Sequence, residues 1–417
     1  MKLFLTLILI PFTSLHLLAS FKNEIFSPSI KSVQLSNYGL TYDMPIISLN
    51  TDEKLNLSFD YLANEPKEFS YTFIKCDANW EKSENVFFHD FAEGMEDQFI
   101  TDFEFSENTA IDYIHYNLDF PSTESKFLMS GNYILIVKEV ETLEVMLTHK
   151  FYIVESKITI TPQPKRPINF DLKHTHHLVN FAVNHSMIPS NNPRSEFKAV
   201  IIQNGRYDNA KYNIKPSFEG NNQLLFNNEN ETLFEAGNEY RILDFRDLKQ
   251  PAQGVEEIFY EDSIYHIIPE TDYNRAYLKY KQTMDHDGRF FIEKKTFREN
   301  PNLTSDYAFV HFRFARKIPL DSSSVFILGK INGGEINRNF KMIYKDSLEH
   351  YESHILLKQG VYNYAYAAKK NMENSLFWEN TDGSHFQAKN TYTVFIYHKG
   401  FNDETETLIG VKRFTFQ

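Results

Sequence analysis

The chain has 417 residues, of which 42% are hydrophobic and 15% aromatic, and its formal net charge is −13 at pH 7. This length and apolar content exclude a disordered protein and exceed the needs of one sandwich, so we expect two or three folded domains. The excess of acidic over basic residues is interpreted as a feature that keeps the protein soluble. No run of Lys and Arg is available to neutralise a phosphate backbone. Nucleic acid is therefore not expected as a partner.

The N-terminus has the features of a secretory signal peptide. Lys2 supplies a positive charge, and residues 3–18 are an apolar stretch interrupted by Pro11 and followed by small residues. We expect residues 1–20 to be this signal peptide and the mature chain to be exported. No later stretch approaches the roughly 20 apolar residues of a spanning helix, so no direct membrane span is expected.

Short alternating runs separated by turn residues predict an all-β fold of tandem immunoglobulin-like or early-set β-sandwich domains. We expect an N-terminal β-sandwich over residues 21–160, a middle β domain over residues 168–302 and a C-terminal early-set-like β-sandwich over residues 303–417. Residues 161–167 contain three prolines and are predicted to be a stiff linker, because proline cannot continue a central strand. Many turns should be built on Asn, since the chain has only 15 Gly and Asn also adopts left-handed conformations. The predicted strands cover residues 46–49, 55–59, 69–76, 113–120, 133–138, 147–154, 179–183, 197–203, 223–226, 240–245, 307–314, 325–328, 350–357, 361–367, 392–397 and 408–416.

The chain lacks the sequence motifs of known catalytic sites, so we expect a protein that is not an enzyme, with no cofactor and no catalytic, cofactor-binding or metal-binding residues assigned. The best metal candidate is the group of His174, His176 and His177 with His185 nearby, because alternate histidines on a strand share a face and could converge on zinc. The alternative is a solvated strand end. Residues 285–288, Asp-His-Asp-Gly, lack the further ligands of a calcium loop and are predicted to be a polar turn.

Other conspicuous residues have structural interpretations. Cys76 is the one cysteine of the chain and lies in an alternating strand, which predicts a buried, inert thiol. Residues 77–80 predict a turn, and residues 131–132, Gly-Asn, predict a hairpin turn. Gly205 is predicted to occupy a backbone position where a side chain would clash or cause strain.

The third domain resembles the early-set sandwich of glycogen-binding modules in the order of residues 325–332 and 356–364. Those modules place a tryptophan after the asparagine, whereas this chain has Gly333 and Gly334. The resemblance is therefore one of fold. It leaves an alternative function open, an envelope carbohydrate-binding protein that uses this domain.

A longer series of strings, in order from about residue 28 to residue 416, resembles the family of type IX secretion system plug proteins of Bacteroidota. The resemblance implies a plug that binds the outer-membrane translocon β-barrel protein and seals its periplasmic opening in the resting state. It also implies a periplasmic location, docked at the inner face of the outer membrane, and no small-molecule ligand. Residues 403–410 match the family's pattern only in part. The strings are residues 30–35, 45–49, 77–80, 100–106, 130–133, 183–185, 203–210, 214–216, 236–241, 287–291, 300–303, 306–312 and 390–394.

Overall fold

The computed structural model describes residues 20–39, 44–122, 125–295, 299–371 and 375–416. All of the predicted signal peptide except Ser20 lies outside these residues. The described chain is almost entirely β-sheet, which confirms the predicted fold class. Its α-helices have four residues each, so none has the length or apolar character of a membrane span.

Short strands make up most of the described chain. Strands β1 to β10 are Glu24–Ile25, Ile30–Asn37, Ile46–Ser48, Leu55–Tyr61, Phe69–Cys76, Gln98–Ile100, Asp102–Phe105, Ile114–Phe120, Gly131–Glu139 and Val145–Val154. Strands β11 to β18 are Thr159–Pro162, His176–Leu178, Phe181–Asn184, Phe197–Gln203, Arg206–Ile214, Phe218–Gly220, Gln223–Phe226 and Leu233–Glu235. Strands β19 to β31 are Arg241–Asp244, Val255–Glu261, Ile264–Pro269, Asp272–Tyr273, Phe290–Ile292, Tyr307–Ala315, Ser323–Leu328, Ile343–Lys345, His350–Lys358, Gly360–Lys370, Leu376–Phe377, Asn390–His398 and Thr407–Phe416. The helices α1 to α4 are Phe88–Phe91, Pro193–Glu196, Glu229–Thr232 and Pro301–Thr304, and 3₁₀ turns cover Lys330–Asn332, Arg338–Phe340 and Asp346–Leu348.

Strands β1 to β10 form the first body, which we call the N-terminal sandwich. One sheet has the order β1-β10-β9-β5-β6 with β3 paired to β10, and the other has the order β2-β4-β8-β7. Alternate side chains of both sheets meet in an aromatic core, where the rings of Phe59 and Tyr116 stack with their centroids 5.1 Å apart. Such pairs contribute beyond the apolar area they bury, which accounts for the aromatic excess of this segment.

The second body, the middle sandwich, is discontinuous in sequence. Its main sheets have the orders β11-β13-β17-β16 and β15-β14-β30-β31. The strand Phe197–Gln203 pairs antiparallel with Asn390–His398, so the last two strands of the chain complete this body. The predicted division between residues 302 and 303 therefore does not separate the domains, because strands that were assigned to the C-terminal domain belong to the middle one.

The segment predicted as a linker, residues 161–167, is part of the middle sandwich. Thr159–Pro162 pairs with Phe181–Asn184, and Lys165 exchanges backbone hydrogen bonds with Leu178, the N···O distances being 2.9 Å each way. Proline is tolerated here because β11 ends the order of its sheet, where one side of the strand needs no ladder donors. The prolines mark a sheet edge, and the expected spacer is wrong.

The third body lies in sequence between β18 and β30, and we call it the inserted sandwich. Its sheets have the orders β19-β28-β23, with β25 and β29 also paired to β28, and β20-β21-β24-β27-β26, with β22 paired to β24. Their inner faces meet in a core that includes Phe312, Phe314, Tyr364 and Tyr366. A third sandwich is present, and its strands run from Arg241 to Phe377, whereas the predicted C-terminal domain covered residues 303–417.

The N-terminal and middle sandwiches share a further apolar core between their outer faces. In β9, Tyr133 and Leu135 point into the core of their own sandwich, whereas Ile134 and Ile136 contact the middle sandwich. Strands covered on both faces need continuous apolar runs, and residues 133–137 are such a run. The burial of about a dozen side chains at this interface holds the two bodies together.

Lys150 lies where the three sandwiches meet. Its Nζ atom is 2.6 Å from Oε1 of Glu335 in the inserted sandwich, and it lies 5.0 Å from the ring centroid of Trp80 and 4.2 Å from that of Tyr207. The Lys150 and Glu335 side chains are 3% and 10% exposed. A buried cation is tolerated only with such partners, so this contact depends on the placement of all three bodies.

We predict that Lys150→Met lowers the free energy of unfolding by about 3 kcal/mol, because it leaves the Glu335 carboxylate buried without its cation. Urea unfolding followed by tryptophan fluorescence measures the loss. The control is Lys157→Met, which removes an exposed pair with Glu155 and should change the free energy by less than about 0.5 kcal/mol. Equal effects of the two substitutions would contradict the role given to Lys150.

Candidate binding surfaces

The four histidines of the zinc hypothesis do not converge. His177 is fully buried, and its Nδ1 lies 3.0 Å from the Tyr392 hydroxyl and its Nε2 2.8 Å from the Phe386 carbonyl oxygen. His176 contacts the Thr175 hydroxyl and His185 the Ile188 carbonyl oxygen. Across the described ranges, no group of three or more His, Cys, Asp or Glu side chains has an arrangement that could hold a metal ion.

His177 instead joins two parts of the middle sandwich. Its ring stacks on Phe416 of the last strand, with a centroid distance of 3.8 Å. Burial lowers the pKa of His177 to about 4. A neutral imidazole that bonds with both nitrogens and packs on an aromatic ring is part of the core, so this residue has a structural role.

The remaining predicted features lie in turns and strands. Residues 285–288 form the predicted polar turn, in which Oδ1 of Asp285 accepts the Asp287 amide at 3.1 Å. Cys76 is buried, and burial raises the pKa of its thiol to about 12, as expected for an inert cysteine. The turn at residues 77–80 is confirmed by the Asp77 carboxylate, which accepts the Asn79 amide at 3.0 Å.

The hairpin turn predicted at residues 131–132 is wrong, because both residues begin strand β9. A side chain at Gly131 would lie 2.6 Å from the Lys75 Nζ atom, which explains the glycine by close packing. The side chain of Asn132 accepts the Tyr397 hydroxyl at 2.7 Å across the interface with the middle sandwich. The string that resembles a turn is therefore an interdomain contact.

Gly334, one of the two glycines of the early-set comparison, packs closely against Gly205 of the middle sandwich. Gly334 has φ +72°, and a Cβ there would lie 2.7 Å from the Gly205 carbonyl oxygen. Gly205 has φ +63°, as predicted for a strained position, and a Cβ there would overlap the Lys330 Nζ atom. An aromatic platform for sugar stacking cannot occupy this site, so the structure gives the carbohydrate-binding alternative no support there.

A second charged contact joins the N-terminal and inserted sandwiches. The Lys358 Nζ atom lies 2.6 Å from Oδ2 of Asp60, and the Tyr307 hydroxyl donates to the same oxygen at 2.6 Å. His115 Nδ1 lies 2.6 Å from the other carboxylate oxygen. Burial alone would raise the pKa of Asp60, yet Lys358 and His115 hold it below its usual value. This contact and Lys150 fix the inserted sandwich on the N-terminal one at two places.

Sequence reasoning missed a row of histidines on the outer face of the inserted sandwich. The ring nitrogens of His266 and His311 are 2.9 Å apart, and those of His311 and His354 are 2.6 Å apart. The pattern could have been found only by knowing that β21, β24 and β27 are neighbours. His311 contacts its neighbours with both nitrogens, so the rings form a chain and do not surround a common point.

The N-terminal sandwich exposes aromatic residues at one corner, which we call the apolar edge: Phe99, Phe103 and Phe105. Their exposed fractions are 60%, 38% and 52%. Phe99 lies on β6 and the other two on β7, and each of these strands ends the order of its sheet in the described chain. Open strand edges that carry large apolar side chains are a liability unless another chain covers them. The apolar edge is therefore a candidate docking surface.

Comparison with known proteins adds family information for the first body. Residues 30–155 match the family model described as type 9 secretion system plug protein, first domain. A crystal structure of a hypothetical protein from Parabacteroides merdae matches with a TM-score of 0.92 and 29% identity, over 95% of this chain and 100% of that one. The C-terminal domain of the Streptococcus pyogenes antigen I/II-family protein AspA aligns over 91% of this chain and 98% of that one, at a TM-score of 0.14 and 8% identity, too low for a shared fold. No protein of curated function matches the chain.

We predict that acid destabilises the fold in part through His177. Its pKa is about 4 in the folded chain and 6.5 when unfolded, so the unfolded chain binds more protons as pH falls from 6.5 towards 4. One such histidine lowers the free energy of unfolding by about 2 kcal/mol between pH 7 and pH 5. Urea unfolding at pH 7.5, 6 and 5 should show a shallower pH dependence for His177→Gln than for the parent. The exposed His174→Gln is the control and should keep the parental pH dependence; an unchanged slope in His177→Gln would refute the assignment.

Proposed function

Because residues 30–155 belong to the type IX secretion system plug family, we propose that the protein is a non-enzymatic plug of that system's outer-membrane translocon barrel. In the resting state it binds the barrel protein and seals its periplasmic opening. Its place is then the periplasm, at the inner face of the outer membrane. The match of the first domain is the observation that carries the proposal, and it supports involvement in type IX secretion directly.

The contacts between the three sandwiches support a sealing role. A stopper must offer a pre-ordered surface, because ordering a flexible segment on binding costs conformational entropy. The shared apolar core fixes the N-terminal sandwich to the middle one, and the buried cations Lys150 and Lys358 fix both to the inserted sandwich. The three sandwiches thus act as one broad body, and sealing requires no chemistry from it.

The apolar edge is the surface that we assign to the contact with the barrel. It lies within residues 98–105, inside the segment that matches the family model. Its aromatic side chains are of the kind that dominate the energy of protein interfaces. Both of its strands also have a free side, so backbone pairing with a partner strand is sterically open.

The first experiment is affinity purification of the translocon barrel from cells that carry a tagged copy of this protein. We expect the two proteins to be recovered together in the resting state. Failure to recover the barrel under mild extraction would count against the proposal.

Substitution of the apolar edge tests the assigned surface. We expect Phe99→Glu with Phe105→Glu to reduce recovery of the barrel about tenfold or more, because charges replace the apolar contact. The matched control is Phe401→Glu in the loop between β30 and β31, where the phenylalanine is 97% exposed and lies in the middle sandwich. Circular dichroism of the purified variants establishes that they fold. Equal recovery of the barrel with both variants would show that the contact lies outside the apolar edge.

Permeability tests the sealing itself. Deletion of the gene should admit large hydrophilic antibiotics, because an unsealed pore wide enough for folded cargo leaks small solutes. The inhibitory concentration should fall in the deletion strain and be restored by the parental gene and by Phe401→Glu. An unchanged inhibitory concentration in the deletion strain would contradict the role of a plug.

A further inference from the structure

A groove of about 670 Å³ separates the N-terminal sandwich from the inserted sandwich. One wall is the segment of residues 23–36, and the opposite wall is formed by residues 354–358 of β27 and by residues 330–333. Along this stretch β2 pairs with β4 and β27 with β24, and the described strands do not pair across the groove. This volume falls within the range of small-ligand sites, so the groove has the size of a binding site.

The groove is lined by cations, although the whole chain carries a charge of −13. Lys31, Arg289, Lys330 and Lys358 line it, and its one carboxylate is that of the exposed Glu24. Lys358 is neutralised by Asp60. No described carboxylate lies within ion-pair distance of the other three cations, although the negative charge of Asp287 acts on Lys330. The guanidinium of Arg289 makes no hydrogen bond to a described residue.

Lys330 is half-buried in the wall of this groove. Its Nζ atom donates to the Gly205 carbonyl oxygen at 2.8 Å, which leaves further N–H groups of the ammonium without a partner among the described residues. Burial, followed by the positive charge of Arg289, lowers the pKa of Lys330 to about 8. Burial also lowers the pKa of the nearby His149 to about 4, and the charges of Lys330 and Lys150 act in the same direction.

Half-buried cations whose charge is only partly compensated carry a free-energy cost, and a bound anion would offset that cost. About half of the remaining lining residues are apolar, and these include Phe26, Val33, Ile331 and Ile355. We propose that the groove binds an amphiphilic anion, whose carboxylate or phosphate head is held by Arg289 and Lys330 and whose hydrocarbon part lies on the apolar walls. A fatty acid and a lipid phosphate share this chemistry. The inference does not rest on the plug function, and it differs from the expectation that the chain has no small-molecule ligand.

Isothermal titration of the mature full chain at submicellar concentrations tests the proposal with octanoate, octyl phosphate, octanol and inorganic phosphate. Both octyl anions should bind, and octanol should bind at least tenfold more weakly, because it lacks the charge that the cations recognise. The tighter of the two anions identifies the head group. No binding of either anion at millimolar concentration, or equal affinity for octanol, would overturn the proposal; inorganic phosphate that binds as tightly as octyl phosphate would overturn its apolar half.

Matched variants locate the site. We expect Arg289→Gln and Lys330→Gln each to weaken binding of the tighter anion about tenfold or more, through loss of a charge-assisted hydrogen bond. Lys281→Gln removes an exposed cation outside the groove and should leave the affinity unchanged. Arg289→Gln breaks no hydrogen bond of the described fold, so it remains informative if Lys330→Gln destabilises the chain. Unchanged affinity in both groove variants would refute the site.

Discussion

The buried ammonium group of Lys150 is the constraint on which the arrangement of this protein depends. Its carboxylate partner comes from the inserted sandwich and its aromatic partners from the other two bodies. A cation this far from water is stable only when every partner is in place. Separation of any one sandwich would leave a buried charge without one of its partners. The apolar interface buries the larger surface area, but apolar contacts are not directional and would permit small shifts of one sandwich against the other. The buried charges select one relative position, which is what the proposed sealing role requires.

The local alternation of apolar and polar residues predicted most of the secondary structure. The strands Phe69–Cys76, Phe197–Gln203 and Gln223–Phe226 have the bounds that alternation predicted. The Asn-built turns are also confirmed, since seven of the fifteen non-glycine residues with positive φ in the described part of the chain are Asn. The assembly of strands into bodies was not predictable in the same way. Pairing between Phe197–Gln203 and Asn390–His398 leaves no local trace, and the prolines at residues 161–167 look alike in a linker and in an edge strand.

The candidate surfaces were harder still to predict. In β7 the phenylalanines at residues 103 and 105 alternate with acids as a half-buried strand would, and only the sheet order shows that they face solvent at an open edge. The groove cations come from two sandwiches, Lys31 from one and Arg289 and Lys330 from the other, so this lining depends on the interdomain packing. One pattern in the sequence does indicate the interdomain packing. The continuous apolar runs at residues 133–137 and 394–397 indicate sheets covered on both faces, and hence the interdomain core.

The return of the last strands to the middle sandwich has a consequence for how this chain matures. The hydrogen bond between the Thr391 amide and the Asn204 side chain joins residues 187 positions apart. A chain that is exported as proposed, N-terminus first, therefore holds β14 without its β30 partner until almost its whole length has emerged. The segment from Asn390 onward is needed to complete the interface with the N-terminal sandwich, because Phe395, Tyr397 and Leu408 are part of that interface. A prematurely ended chain would lack part of the surface on which the N-terminal sandwich packs.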